Sequence, residues 1–384
     1  MLLQARYSAT TFSKYMSTAP RLTIDLSALV HNWRFMKQKS GNAEAAAVVK
    51  ADAYGLGIEP VVDALSKAGC KTFFTAMMEE AIRVRKISPD ARVIVLNGVV
   101  AETTKTATEQ SIIPVLSSIE QIAMWKEHGG GHPSVVHVDT GMNRLGLRMQ
   151  EAEALSANPE LLGSINPVML MSHLACADEP NDPKNIQQLE TFIQTAEQFP
   201  GLSTCFANSA GIMLGADYHF STTRPGIALY GAEAVNNVPN PMKPVVTAEA
   251  RILQIRRAEK GETIGYGAEQ HLDRETKVAV CSGGYADGYH RSASGAGVTL
   301  RKDGSAGAMG AIAGHRVPVL GRVSMDLTTF DVTDVPQQVL DENQWLELFG
   351  NTIPVDDLAR ACGTIGYELL TSLGNRYHRE YRGG

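Results

Sequence analysis

Several kinds of segment and site are missing from this 384-residue sequence. It has no apolar run of the length that spans a membrane. Its five cysteines include no C-x-x-C pair, and its ten histidines form no H-E-x-x-H motif or Cys/His cluster. These absences argue against a membrane anchor, a disulfide framework and a metal site. Scattered cysteines in odd number fit a reducing cytoplasm.

The charge balance is mildly acidic, with a net charge of −6 and a pI near 6.0. This balance argues against nucleic acid or an anionic membrane as the main partner. The apolar share of 44% and the charged share of 20% are typical of a soluble globular protein. The length exceeds one ordinary domain, so one large and one medium domain are expected.

The first twenty residues contain basic, Ser and Thr residues but no acid, which is the composition of a transit peptide. They lack the apolar core of a secretory signal. We interpret residues 1–20 as a disordered leader, or as a stretch upstream of a true start at Met16.

From residue 21 onward, short apolar runs alternate with stretches of helical periodicity. Such alternation predicts parallel strands with helices outside them. Eight strand units favour a (β/α)8 TIM-type barrel over 21–240, and no G-x-G-x-x-G follows the first strand as an open Rossmann sheet would require. The predicted strands are 45–50, 72–76, 92–96, 112–115, 134–139, 167–172, 204–207 and 227–230.

The pattern changes after a turn-rich linker at 236–241. Extended segments separated by glycines then predominate, and helical periodicity returns only at 355–362. Residues 241–384 are therefore predicted to form a mainly-β C-terminal domain. Its predicted strands are 245–255, 277–282, 298–301, 317–320, 323–332 and 345–348.

Lys50 stands where the first predicted strand ends and a Gly-rich turn begins. A lysine there can be desolvated into a nucleophilic amine, or it can simply extend from a strand end into water. Taken singly, the other candidates also have ordinary structural explanations. Jointly they predict a site, because a barrel collects its chemistry at the carboxyl ends of its strands. They are Arg144, His173, Asn208, Ser209, Arg224 and Gly226.

The nine-residue stretch 49–57, VKADAYGLG, resembles the signature of the alanine racemases. That family binds pyridoxal 5′-phosphate (PLP) as a Schiff base on the motif lysine. Further stretches resemble family blocks across both predicted domains, so the resemblance covers nearly the whole chain from Arg21. They are 138–146, 172–173, 207–210, 224–231, 265–268, 284–288 and 321–326.

The resemblance implies a PLP-binding barrel in a homodimer whose active sites are completed by the partner's β-domain. Lys50 would hold PLP, Arg224 would face its pyridine nitrogen, and His173 would pack on its ring. Tyr54, the Ser209 hydroxyl and the N–H groups of Gly226 and Ile227 would bind the phosphate. The implied cofactor-binding set is Lys50, Tyr54, Arg144, His173, Asn208, Ser209, Arg224, Gly226 and Ile227.

The implied reaction is the interconversion of L- and D-alanine through an external aldimine, with two bases on opposite faces of Cα. Lys50 would serve the D face, and Tyr266 of the partner would serve the L face. Arg144 and the Met325 amide would hold the substrate carboxylate, and Tyr285 would line the entrance. The product would supply D-alanine for peptidoglycan, or the enzyme would act in alanine catabolism.

The chain departs from the family pattern at His137, at Ser324, where some relatives have cysteine, and around 371–377, where a tyrosine of some relatives has no clear match. Many members carry a carbamylated lysine two residues before the motif aspartate, where it orients the arginine, and this chain has His137 there. Arg144 would then be held by His137, a water or an anion. A broad-specificity amino-acid racemase, a decarboxylase of the same fold type and a PLP carrier remain as alternatives.

Overall fold

The computed structural model describes residues 18–302 and 304–384, and residues 1–17 of the predicted leader lie outside this part. The chain divides into two compact units. One unit comprises residues 26–243 with the terminal Gly384. The other combines Pro244–Gly383 with the described residues before Leu26, 18–25. Among the described residues, no helix is both long and apolar enough to cross a membrane.

Residues 26–243 form a closed parallel sheet, which confirms the predicted barrel. The first strand is interrupted at Ala46, so that its first half pairs with the last strand and its second half with the next strand in sequence. The nine strand pieces are Glu44–Ala45, Ala47–Val48, Thr72–Thr75, Arg92–Val95, Ile113–Leu116, Ser134–His137, Pro167–Met171, Ser203–Asn208 and Thr222–Arg224.

Helices connect these strands on the outside. Several begin at a side-chain cap; Ser118, for example, accepts a hydrogen bond from the Gln121 amide. The α-helices are Leu26–Lys39, Ile58–Lys67, Met78–Ile87, Ala101–Glu109, Ile119–His128, Met149–Ser156, Pro159–Ser164, Pro183–Glu197 and Ser209–Leu214, and Lys50–Tyr54 is a short irregular turn. The strands between them are buried on both faces, as parallel strands usually are.

The eighth strand was predicted at the wrong place. The segment Ile227–Tyr230 is a 3-10 turn, and the strand is Thr222–Arg224. Pro225 has no amide hydrogen to continue the sheet, so the chain turns at this point. The apolar side chains of the turn are buried, and the Tyr230 hydroxyl donates to the Val48 carbonyl at 2.9 Å.

The second unit is a mainly antiparallel sheet, which confirms the predicted β-domain. In spatial order its strands are Thr276–Ser282, Leu327–Asp331, His315–Leu320, Met309–Ile312, Trp345–Phe349, Val246–Ala258, Arg21–Asp25 and His378–Arg382. A hairpin, Thr263–Ile264 with Gln270–His271, stands apart from this sheet. The α-helices are Gln337–Glu342, Val355–Cys362 and Gly366–Thr371.

Three features of this unit differ from the sequence-based expectation. Arg21–Asp25, assigned to the barrel range 21–240, pairs instead with Val246–Ala258 and His378–Arg382. The predicted strand at 298–301 contains the 3-10 turn Thr299–Arg301. The strands Met309–Ile312 and His378–Arg382 were not predicted.

Candidate active site

Lys50 lies at the mouth of the barrel, just past the carboxyl end of the first strand. The preceding amide, on Val49, still donates to the Phe74 carbonyl at 2.8 Å, so sheet pairing ends one residue before the lysine. Burial is the main cause that lowers the pKa of the Lys50 amine, and Arg144 and Arg224 lower it further. The Glu80 carboxylate acts in the opposite direction. This environment favours a neutral, nucleophilic amine.

Arg224 ends the last barrel strand and is only 3% exposed. Its Nη2 donates to the Ser172 carbonyl at 2.8 Å and to Nδ1 of His173 at 3.1 Å, and its Nη1 reaches Cys205 Sγ at 2.9 Å. Because a guanidinium has donors only, His173 Nδ1 must accept, and the imidazole is neutral. Burial and then Arg224 hold the pKa of His173 well below its ordinary value.

A small cradle lies beside Lys50, where the Ser209 hydroxyl accepts from the amides of Gly226 at 2.8 Å and Ala228 at 3.4 Å. A Cβ at position 226 would stand 2.4 Å from the Tyr54 hydroxyl, so any other residue there would displace the Tyr54 side chain. The Tyr54 ring stacks on Tyr230 with centroids 4.5 Å apart. Converging amides and hydroxyls of this kind suit an anion.

Two more predicted residues border the cradle. Asn208 caps the helix Ser209–Leu214, since its Oδ1 accepts from the Gly211 amide at 2.8 Å. This contact gives Asn208 the ordinary role of a helix cap. Ile227 is buried and starts the 3-10 turn after Gly226.

Arg144 lies in a tight loop between Asp139 and Gly146. The Asp139 carboxylate accepts the amides of Gly141 and Met142, each at 2.8 Å, and Leu147 rejoins the barrel by bonding His137 and Asp139. Arg144 itself is exposed and has no hydrogen bond or ion pair to another described residue. Its guanidinium is therefore available to an anion.

His137 is buried, and its Nδ1 lies 3.1 Å from the Ser117 hydroxyl. Burial first, and then Arg224, lowers the pKa of His137 to about 4. His137 is therefore neutral at pH 7. His137 makes no hydrogen bond to Arg144, so it does not hold the arginine directly.

His137 makes a testable contribution to acid stability. The unfolded chain takes up a proton near pH 6.5, whereas the folded histidine resists it until about pH 4. Stability should therefore fall as the pH is lowered through this window, by about 3 kcal/mol from this group. In urea titrations from pH 7 to 4, His137→Gln should lose less stability on acidification than the parent. Parallel profiles for the two proteins would contradict this assignment.

The remaining predicted residues belong to the other unit, where two of their loops are joined. The amide of Tyr285 donates to the Ser324 carbonyl, and that of Ala286 to the Met325 carbonyl, both at 3.0 Å. Tyr266 stands on the 3-10 turn between the hairpin strands and is 72% exposed. Met325 is 53% exposed. These side chains are presented to solvent and are not used as core.

The same two loops are also joined by a charge network. Arg376 pairs with the fully buried Asp287 at 2.7 Å and with Asp326 at 2.8 Å. This bridge fixes the turn that carries Tyr285 against the loop that carries Met325. Sequence reasoning did not single out Arg376.

Comparison with known families settles the membership of the chain. The family model "Alanine racemase, N-terminal domain" matches residues 24–234, and "Alanine racemase, C-terminal domain" matches residues 245–381. The chain belongs to the alanine racemase family. Alanine racemases of this family are PLP-dependent enzymes, and the chain is an enzyme of this class.

Individual relatives agree with this membership. An alanine racemase of Rhizobium meliloti is 51% identical over 374 residues, covering 97% of this chain and 99% of the relative. The biosynthetic alanine racemase of Agrobacterium fabrum is 52% identical over 364 residues, covering 94% and 93%. The crystal structure of the Bartonella henselae alanine racemase, with covalently bound pyridoxal phosphate, superposes with a TM-score of 0.86 at 36% identity, covering 95% and 99%.

The residues at the barrel mouth fit the family's cofactor. A phosphate dianion needs amide and hydroxyl donors, and the Gly226 amide and the hydroxyls of Ser209 and Tyr54 converge at the cradle, two residues after Arg224. An aldehyde needs a neutral amine, which the lowered pKa of Lys50 favours. Across the described residues no three His, Cys, Asp or Glu side chains gather as metal ligands.

Gln188 is a buried connector that sequence reasoning missed. Its Oε1 accepts the Ala175 amide at 2.8 Å, and its Nε2 donates to Thr140 Oγ1 at 3.1 Å and to the His173 carbonyl at 2.9 Å. It thereby joins the loop of Arg144 to the backbone of His173. The only signal in the sequence is an amide at a position of the helix Pro183–Glu197 that faces the core.

Gln188→Leu should destabilise the protein by about 1–3 kcal/mol, because the fully buried amide of Gln188 is lost as the partner of the Ala175 amide, the Thr140 hydroxyl and the His173 carbonyl. Urea unfolding of the purified protein measures this change. Gln187→Leu is the matched control, since Gln187 is the exposed neighbour on the same helix and should change stability by less than about 0.5 kcal/mol. Equal effects of the two substitutions would show that Gln188 is not a connector.

Proposed function

We propose that this chain interconverts L- and D-alanine with two bases, Lys50 and Tyr266, placed on opposite faces of Cα. The observation that carries the proposal is the Lys50 amine, whose pKa is lowered by burial and by two guanidinium groups at the barrel mouth. A neutral amine can accept the α-proton, whereas an ammonium cannot. When bound, PLP supplies an electron sink that acidifies this proton.

The other side chains would hold and orient the substrate and the cofactor. Arg144, exposed and unpaired among the described residues, would bind the substrate carboxylate together with the Met325 amide. Arg224 stays charged and would keep the pyridine nitrogen unprotonated, while the neutral His173 would pack on the ring. Tyr285 would line the entrance. The phosphate would be held by Tyr54, Ser209 and the amides of Gly226 and Ile227.

We further propose a homodimer in which the partner supplies Tyr266 to each site. The proposal is supported by the unusual exposure of large side chains on the β-unit, which is typical of a surface that another chain covers. The most exposed of them are Tyr266, Ile365, Met325 and Leu253, and Tyr285 follows. Such an arrangement would place one base on each of two chains, so that each site would need both subunits.

A coupled D-alanine assay on the purified protein tests the proposed activity. L-alanine should be converted to D-alanine and the reverse, with serine, lysine and arginine turned over far more slowly. Comparable rates with all four amino acids would favour a broad-specificity racemase instead. No turnover of any of them would contradict the proposal.

The proposed role is the supply of D-alanine to peptidoglycan or alanine catabolism. The first is supported by the relative that carries the word biosynthetic in its name. A cytoplasmic location is supported by the five cysteines, all of which are free thiols.

A further inference from the structure

A run of four residues directly after Lys50 has left-handed backbone. The φ angles of Ala51, Asp52, Ala53 and Tyr54 are 53°, 53°, 54° and 55°. A residue with a Cβ rarely adopts this conformation even singly, because its Cβ approaches the next carbonyl oxygen. Only Asp52 belongs to the residue types that tolerate it, which are glycine and, less often, asparagine and aspartate. The surrounding structure must therefore hold the turn in place.

The turn joins two side chains of the proposed cofactor site. Lys50 precedes it, and Tyr54 closes it with its hydroxyl packed against the backbone of Gly226. If the segment relaxed to right-handed backbone, both side chains would be redirected. The handedness of these residues thus sets how the amine and the phenol are presented together.

The Glu80 carboxylate, on the neighbouring helix Met78–Ile87, forms a hydrogen bond with the turn. Its Oε1 accepts the Asp52 amide at 3.3 Å, and its Oε2 accepts the amides of Ala76 and Met77 at 3.0 and 3.2 Å. The carboxylate therefore ties the middle of the turn to the start of a well-packed helix. One side chain satisfies amides from two separate segments.

Arg83, one helical turn further along, binds the side chain of Asp52. Its Nη2 donates to Asp52 Oδ1 at 2.7 Å, and the guanidinium binds Glu59 through two contacts of 2.6 Å. Asp52 Oδ1 also accepts the Ile58 amide at 3.1 Å. Because of Arg83, the pKa of the Glu59 carboxyl is held below its usual range. The Arg83 guanidinium and the Ile58 amide thus hold the Asp52 carboxylate between the helices Met78–Ile87 and Ile58–Lys67.

We infer that Glu80 and Arg83 are positioning residues of the PLP site, which hold the left-handed turn through Asp52 and so present Lys50 and Tyr54 to the cofactor. This inference rests on the proposed role of Lys50 and Tyr54. It extends the site to a helix that contributes no residue to the predicted set.

The solvent exposure of these ion pairs distinguishes a positioning role from a merely structural one. The side chains of Asp52, Glu59 and Arg83 are all roughly two-fifths exposed, and pairs in such positions contribute little to global stability. Loss of the clamp, by which we mean the contacts of Glu80 and Arg83 with Asp52, should therefore act locally on the turn. The expected signature is weak cofactor retention without a comparable loss of thermal stability.

The test measures PLP release from the holoenzyme, followed as the decay of the visible absorption band after dilution, together with Tm. Arg83→Met should accelerate release about tenfold, because small displacements of positioned groups have large effects. Glu80→Gln, which keeps an acceptor but loses its charge, should show a smaller change in the same direction. Lys50→Ala tests the proposed function separately, since it should remove the band altogether.

Arg85→Met is the matched control from the same helix. Arg85 donates to the carbonyls of Pro89, Ala91, Gln110 and Ser111 and does not reach the turn. Its loss should lower Tm but leave PLP release within about twofold of the parent. Unchanged release in Arg83→Met, or equal acceleration in Arg85→Met, would overturn the inference.

A glycine substitution tests the link to backbone handedness. Ala51 is exposed, so Ala51→Gly removes little packing and relieves left-handed strain. Introduced into Arg83→Met, it should restore much of the lost PLP retention. Failure of the glycine to restore any retention would refute the idea that the clamp acts on the left-handed turn.

Discussion

Lys50→Ala should abolish racemisation and the visible absorption band of bound PLP together. One amine would serve both to attach the cofactor and to carry a proton, so its loss should lower kcat at least about a thousandfold. The absorption spectrum and the coupled D-alanine assay measure the two effects on the same sample. The stability of the barrel should change little, because Lys50 lies past the end of its strand.

Lys67→Ala is the matched control for this substitution. Lys67 ends a barrel helix, and within the described part of the chain its one ion pair is with the exposed Asp63, at 2.7 Å. Its replacement should leave both the spectrum and the rate unchanged. A Lys50→Ala protein that showed no band yet racemised at the parental rate would overturn the assignment of this residue.

Tyr266→Phe should lower racemisation about 10²–10⁴-fold in both directions while the protein keeps its fold and its PLP. Tyr266 is 72% exposed, so loss of its hydroxyl removes no buried hydrogen bond. The two directions fall together because the equilibrium between mirror-image alanines is fixed. The α-hydrogen of D-alanine, facing Lys50, should nevertheless continue to exchange with solvent deuterium, whereas that of L-alanine should not.

Tyr381→Phe controls for the loss of a phenolic hydroxyl on the same unit and should leave rates and exchange unchanged. Mixing the two inactive variants tests whether two chains share a site. If Tyr266 comes from the partner, subunit exchange between Lys50→Ala and Tyr266→Phe should restore about a quarter of the parental activity, since half the dimers then hold one intact site. No recovery after proven exchange would place both bases on one chain.

The barrel could be predicted from sequence because its signal is local. Parallel strands buried on both faces appear as short apolar runs, and Lys50 and Arg224 stand at their ends. The same signal misled at Ile227–Tyr230, because an apolar run that is buried in a turn has the same composition as a strand. Pro225 and Gly226 would have been the better guide.

What could not be predicted depends on distant partners. In the helix Pro183–Glu197 the apolar Ile186 and Ile193 are exposed while the polar Gln188 is buried, so apolar character alone does not identify the buried face. The left-handed turn after Lys50 has an ordinary Ala-Asp-Ala composition, whereas Glu80 and Arg83, which contact its Asp52, are 28 and 31 positions away in the chain. Tertiary contacts decided these positions against local propensity.

The strand Arg21–Asp25 has a consequence for how the chain matures. It lies between Val246–Ala258 and His378–Arg382, so this sheet is built from sequence on both sides of the barrel. During synthesis the barrel segment can leave the ribosome complete, whereas the early strand must wait unpaired for residues that emerge last. A fragment that begins at residue 241 would lack Arg21–Asp25, the neighbour of the final strand His378–Arg382. Dividing this enzyme at its apparent domain junction would therefore leave the barrel complete and the β-domain without one of its strands.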